Sequence, residues 1–166
     1  SEMDWNDKGV ESTYKFIAKL LSLFEGAQKL KSKKPSKKLS IESRLIRSKT
    51  HSTVKKVTEC IEAYKFNYAI SSLMGFSGSL QKYYAIDSSV KFSALEALAK
   101  MICPFAPHIA EEAWQLLGKK SLVSIEKWPV YDKKMIDEGA EIAEELVSKI
   151  RDDVLQIKVL AKIANP

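Results

Sequence analysis

The residues best suited to chemistry lie in Pro104-Phe-Ala-Pro-His-Ile-Ala-Glu-Glu-Ala-Trp114, where His108 stands three positions before Glu111 and four before Glu112. On a helix that spacing can bring an imidazole and a carboxylate onto one face, as a metal or an acid–base pair would use. Geometry argues otherwise. A metal site wants two or three converging ligands, and the only other histidine is His51. Glu111 and Glu112 are adjacent, so they point about 100° apart and cannot both face one ion beside His108. Pro107 suits a first helical turn, where its missing N–H costs nothing. The two carboxylates favour the positive end of the helix dipole, and Ile109, Ala113, Leu116 and Leu117 supply an apolar face. The stretch therefore reads as the start of a structural helix. Cys60 and Cys103 stand far apart in apolar surroundings, the pattern of reduced, buried thiols rather than a disulfide or zinc site. Asp152-Asp153 fall on successive faces and read as solvated. There is no Gly-x-Ser-x-Gly elbow, no cysteine with a His-and-acid signature and no Gly-rich phosphate loop. No catalytic residue, metal site or cofactor site is expected within the chain.

The basic residues carry more. The run Lys29-Leu-Lys-Ser-Lys-Lys-Pro-Ser-Lys-Lys38 holds six lysines in ten positions and reads as an exposed loop. Just after it, Arg44, Arg47, His51 and Lys55 fall at i, i+3, i+7 and i+11. On a helix they share a stripe roughly 80° wide, set about 100° from the apolar face. With Lys33, Lys34, Lys37 and Lys38 they are expected to form one continuous positive surface. Cations about one turn apart suit nucleic-acid phosphates, bound by charge and shape and weakened by salt. A net charge of +6 agrees in sign. Lys49 and Lys56 point elsewhere. Tyr64, Tyr83 and Tyr84 offer rings that could stack on bases, although helical aromatics are more often core.

These side chains need elements to hold them. Only 6 Gly and 5 Pro in 166 residues suit long helices better than many short strands. Apolar Val10, Tyr14, Ile17, Leu21 and Phe24 predict a helix from about 8 to 31, with Asn6 or Asp7 as N-cap. A second helix spans about 41–64, with Ile46, Val54, Val57 and Ile61 inward; Ser40 and Ser43 give it no clear capping box. A third covers about 67–84, weakened in its second half by Gly75 and Ser77-Gly-Ser79. A fourth covers about 88–102 with Leu95, Leu98 and Ile102 inward, and a fifth, 107–117, is closed by Gly118. Residues 121–130 look extended, with Trp128-Pro129 as a packing plug. The last helix begins near Lys133 or Gly139 and reaches Ile163, with the stripe Ala143, Val147, Ile150, Val154, Ile157 and Ala161. Glutamates near its start and lysines near its end complement its dipole. No stretch alternates at period two. The fold class is all-α: a bundle of five or six helices, one domain over 1–166, with a short extended segment near 121–130. No apolar run is long enough to span a membrane, and no signal-peptide pattern opens the chain. The chain opens on Ser rather than Met and stops directly after a strong helix, so it is expected to be an excised fragment.

Several segments together resemble one family, the class I leucyl-tRNA synthetases. Pro104 to Trp114 is similar to the stretch that follows that family's fourth bundle helix, and Ser124-Ile-Glu-Lys-Trp-Pro129 to its short segment ending in Trp-Pro. Lys55-Lys-Val-Thr-Glu-Cys-Ile-Glu-Ala-Tyr-Lys-Phe-Asn-Tyr-Ala-Ile70 resembles its helix pair turning at Phe-Asn. Asp4-Trp5 and Gly9-Val10 resemble the lead-in to its first helix. Residues 150–163 resemble the archaeal and eukaryotic branch, where a long helix leads into a C-terminal tRNA-binding domain. Lys38-Leu-Ser-Ile-Glu-Ser-Arg-Leu45 departs from the family's Asp-Arg-Trp-type lead-in. The resemblance covers nearly the whole chain. It implies the α-helical anticodon-binding domain of an enzyme that attaches leucine to its tRNA with ATP and Mg. The catalytic domain, with His-x-Gly-His and Lys-Met-Ser-Lys-Ser motifs, would lie upstream. The implied partners are leucine tRNA and the parent's own catalytic and C-terminal domains, in the cytoplasm, without a membrane. Many leucyl enzymes largely ignore the anticodon bases, which favours backbone contact. The competing readings are the same domain of a valyl-, isoleucyl- or methionyl-tRNA synthetase, a helical protein-interaction module presenting the last helix, and a small metal-dependent enzyme using His108.

Overall fold

A computed structural model describes residues 7–30, 36 and 38–160. Among them are six α-helices and no strand: α1 (Asp7–Ser22), α2 (Ile41–Glu62), α3 (Phe66–Lys82), α4 (Ser88–Ile102), α5 (Pro107–Leu116) and α6 (Glu138–Leu160). Short 3₁₀ turns stand at Ala27–Leu30, Val123–Ile125 and Lys133–Met135. The all-α bundle is as the sequence predicts. Lys33, Lys34 and Lys37, Asn6, and the end of the last helix after Leu160 lie outside the described residues.

The core is made where apolar stripes of α2, α3, α4 and α5 meet. Ile46, Val54 and Val57 of α2 pack with Leu73, Phe76 and Leu80 of α3, Leu95 and Leu98 of α4, and Trp114 of α5. Phe24 and Trp114 are fully buried, the largest apolar payloads in that cluster. Trp128 plugs one edge and donates its indole N–H to Thr58 Oγ1 at 2.8 Å. The region 121–130 is extended only in part, since Val123–Ile125 closes a 3₁₀ turn.

Four expectations change. The first helix stops at Ser22 instead of continuing to Lys31: the chain turns through 23–26, with Gly26 at φ 68°, and this folds Phe24 and Ala27 into the core. Ser40 does cap α2, its hydroxyl accepting the Ser43 N–H at 3.1 Å. The small-residue half of α3 stays helical to Lys82 because Phe76, Ser77 and Leu80 are buried there, and packing overrides propensity. Fourth, Cys60 and Cys103 are free but only half-buried.

Two helix ends share one geometry with different residues. At the end of α5, Gly118 (φ 73°) is left-handed, Lys119 N–H reaches Trp114 O and Gly118 N–H reaches Gln115 O. At the end of α2 the left-handed residue is Tyr64 (φ 55°), with Lys65 N–H on Cys60 O and Tyr64 N–H on Ile61 O. A tyrosine there is strained where glycine would not be, and its ring is 82 % exposed.

Candidate nucleic-acid interface

α2 is the spine of the candidate surface. It packs on α3, α4 and α6, so only part of its circumference remains open. The backbone from Asp132 to Asp137 lies across it: Asp132 N–H donates to His51 Nδ1 at 3.1 Å and Asp137 N–H to Ser48 Oγ at 2.7 Å. Ser48 and Ser52 hydroxyls donate to Glu141 of α6.

That crossing corrects the expected single stripe. Arg44 is exposed and lines a groove of about 490 Å³ between α2 and α6, shared with Lys82 and Arg151. Arg47 and His51 instead line a cleft of about 370 Å³ between α2 and the first turns of α4. Arg47, His51 and Lys55 are half-buried, and Lys38 is exposed. The four α2 cations therefore do not line one open side. Periodicity along one helix places them within a narrow arc, but the neighbours of that helix divide the arc.

Lys49 and Lys82 are committed internally. Glu144 of α6 accepts from Lys49 Nζ at 2.9 Å, from Tyr83 Oη at 2.8 Å and from Lys82 Nζ. Burial alone would raise its carboxyl pKa; the hydrogen bonds from Lys82, Lys49 and Tyr83 outweigh burial and hold it at about 2. Lys49 thus points away from the Arg47 cleft, as its position on the helix predicts. Tyr83 is tied to Glu144, while Tyr64 and Tyr84 are open to solvent rather than core.

His51 has its pKa lowered, by desolvation first and by the Arg47 charge, against an upward pull from Asp132. Because Nδ1 accepts the Asp132 N–H, the neutral ring carries its proton on Nε2. Arg47 makes no hydrogen bond or ion pair, and its Nε is buried without a partner. Ser93 of α4, exposed at the same cleft, was not legible as a site residue, since nothing in its local pattern marks it.

The Pro104–Trp114 stretch opens α5, with Pro107 in its first turn as the sequence predicts. Glu111 accepts the N–H groups of Val123 and Ser124, at 2.9 and 3.2 Å, and so latches the following loop onto α5. These backbone hydrogen bonds hold its carboxyl below the usual range. His108 is exposed. Among the described residues no group of three His, Cys, Asp or Glu could hold a metal ion, and no helix is long and apolar enough to cross a membrane.

The profile of the family described as "Anticodon-binding domain of tRNA ligase" matches residues 43–165. The chain belongs to that family. Its relatives include the leucine–tRNA ligases of Thermotoga petrophila, 35 % identical over 93 % of this chain and 20 % of the relative, and of Pseudothermotoga lettingae, 38 % identical over 92 % and 20 %. The chain thus spans about a fifth of the length of the curated relatives it matches. Among solved structures it is similar to a ternary complex of Agrobacterium radiobacter K84 agnB2 LeuRS with tRNA and LeuAMS. That likeness has a TM-score of 0.73 and 29 % identity, over 81 % of this chain and 18 % of the other. These relatives are bacterial, so they lend no support to the archaeal and eukaryotic branch suggested by residues 150–163. The α-helical bundle is shared with the solved complex, and the family expected from the Phe-Asn turn and the Trp-Pro segment is the one found.

Proposed function

We propose that this chain is the tRNA-holding domain of a leucine–tRNA ligase. In the intact protein it grips leucine tRNA by its backbone while a catalytic domain elsewhere, using ATP and Mg, attaches leucine. The carrying observation is the similarity to leucine–tRNA ligases over more than nine-tenths of the chain. The tRNA in the solved relative's complex supports the partner. Lys38 and Arg44, exposed on the α2 side, are the outer contacts, with Arg47, His51 and Lys55 recessed behind them; Lys33, Lys34 and Lys37 join them in this reading. The setting is cytoplasmic.

Binding of leucine tRNA measured against salt concentration tests this. Affinity should fall linearly with the logarithm of salt, and the pair Lys38→Glu and Arg44→Glu should weaken binding and flatten the slope. Unchanged binding in that pair would remove the assigned surface; a chain that binds no tRNA at low salt would remove the reading.

A second role is supported by α6. Val147, Ile150, Val154 and Ile157, the stripe predicted from periodicity, are exposed. In a chain that spans a fifth of its relatives, this face is suited to contact the parent's other domains.

A further inference from the structure

The cleft between α2 and α4 holds a cation with no counterpart. Arg47 is half-buried, its Nε is shielded from solvent, and no carboxylate or carbonyl meets it. Native proteins seldom leave a shielded guanidinium N–H unmatched. The adjoining sequence cannot supply a carboxylate, since Lys31-Ser-Lys-Lys-Pro-Ser-Lys37 contains none. The walls around Arg47 are mixed. Leu39 and Val90 are apolar, the His51 ring lines the cleft with its proton on Nε2, and the Ser93 hydroxyl has no partner of its own.

We infer that this cleft seats one phosphate of the RNA backbone, with Arg47 as its charged fork and His51 and Ser93 as neutral donors. The inference rests on the tRNA reading above and narrows it to a single phosphodiester. A guanidinium fork matches two phosphate oxygens, and a neutral Nε2–H and a hydroxyl suit the remaining lone pairs.

Two nearby carboxylates bear on the charge balance. Asp87, the N-cap of α4, accepts N–H and O–H from both Ser36 and Ser89, at 2.6 to 3.2 Å, and those hydrogen bonds, Ser36 first, hold its carboxyl far below the usual range. Its charge is spread over four donors, and the Ser36 and Ser89 hydroxyl protons are committed to it. The Asp132 carboxylate accepts the Lys134 N–H at 2.9 Å, while its backbone N–H meets His51 Nδ1. Neither carboxylate pairs with Arg47. Thr50, at the same cleft, gives its hydroxyl proton to Ile46 O at 2.7 Å, so among the described residues the groups left to donate into the cleft are Arg47, His51 and Ser93.

The test uses the full chain, isotopically labelled, in two arms at fixed pH and ionic strength. In the first, inorganic phosphate is titrated against a chloride control while the His51 ring and Ser93 amide resonances are followed. Saturable shifts at both, with an upward move of the His51 titration, are expected, and both should vanish in Arg47→Gln. In the second arm, leucine tRNA binding is measured against salt. Arg47→Gln should lower the slope of log K against log salt by about 0.7–0.9, the equivalent of one phosphate. Arg47→Lys should keep most of the slope but lose affinity, because a point charge lacks the fork. Amide spectra establish that each variant is folded; if Arg47→Gln is not, Ser93→Ala replaces it in the phosphate arm, where it should weaken the His51 shifts, and Arg47→Lys carries the tRNA arm through its loss of affinity. If tRNA binds the wild type and Arg47→Gln with equal slope, the cleft is not a phosphate seat and the tRNA reading stands. Phosphate shifts without tRNA binding leave an anion site but overturn its assignment to RNA. Failure in both arms overturns the site and the tRNA reading together.

Discussion

The corner around Trp114 and the basic side of α2 treat charge in opposite ways. At the corner Glu96, Lys100, Glu111, Lys119 and Glu126 all have internal partners. Glu111 latches the loop at Val123 and Ser124, Lys119 pairs with Glu96 at 2.8 Å, and the ammonium groups of Lys100 and Lys119 lie over the Trp114 ring at 5.3 and 5.0 Å. Ser121 links the Trp114 indole to Glu126. On α2, Arg47 has no partner and Arg44 and Lys38 face solvent. Glu111, in the motif that looks most like a reaction centre, is spent on holding the fold, whereas unremarkable arginines are left without a partner. A residue type suggests chemistry only until its partners are known.

The contrast can be broken from the structural side first. Trp114→Ala removes the largest buried side chain and should cost about 3–5 kcal/mol in denaturant unfolding, while tRNA affinity of the protein that remains folded stays unchanged. A large affinity loss at full folding would place Trp114 in the interface after all. Next in size is Glu144→Gln, which leaves Lys49 and Lys82 without their anion and should cost about 1–3 kcal/mol. The sign with pH follows from a lowered folded pKa. Glu144 contributes its full stability above the unfolded value near 4.5 and loses it as pH falls toward about 2. The wild type should therefore lose stability over that window more steeply than Glu144→Gln, and parallel acid curves would remove Glu144 as the hub.

A smaller effect sharpens the comparison at Tyr64. Glycine fits the left-handed end of α2 without strain, so Tyr64→Gly should stabilise by about 0.5–1 kcal/mol in thermal unfolding. The gain is reduced by the lost edge contact with Phe66, whose centroid lies 6.1 Å away. A destabilised variant would mean that the exposed ring packs more than its surroundings suggest. Smallest is the His51 titration. Removing the Arg47 charge takes away one of the influences that lower its pKa, so Arg47→Gln should move it upward by NMR in the absence of any anion.

Most of the fold was legible because its stops are chemical. Pro104, Pro107 and Gly118 mark real boundaries, and Ser88–Ile102 is helical over the predicted span. The first helix was overrun at Ser22 because Leu23 and Phe24 continue its apolar spacing although the chain turns there to bury them. The last helix shows its stripe clearly, yet a stripe records only that one face is apolar, and in this chain that face is open. The candidate surface was half legible. Spacing on α2 brings Arg44, Arg47, His51 and Lys55 into one arc, but the Asp132–Asp137 crossing that divides them comes from about 80 residues downstream. Ser93 enters the cleft only through the packing of α4 on α2, which no local pattern contains.

The most direct test of the account is to map amide shift changes along the labelled chain as leucine tRNA is added. Shifts concentrated at Lys38, Arg44, Arg47, His51 and Ser93, with Pro104 to Trp128 unmoved, are the predicted result. Shifts centred on His108, Glu111 and Glu112, with α2 silent, would contradict it.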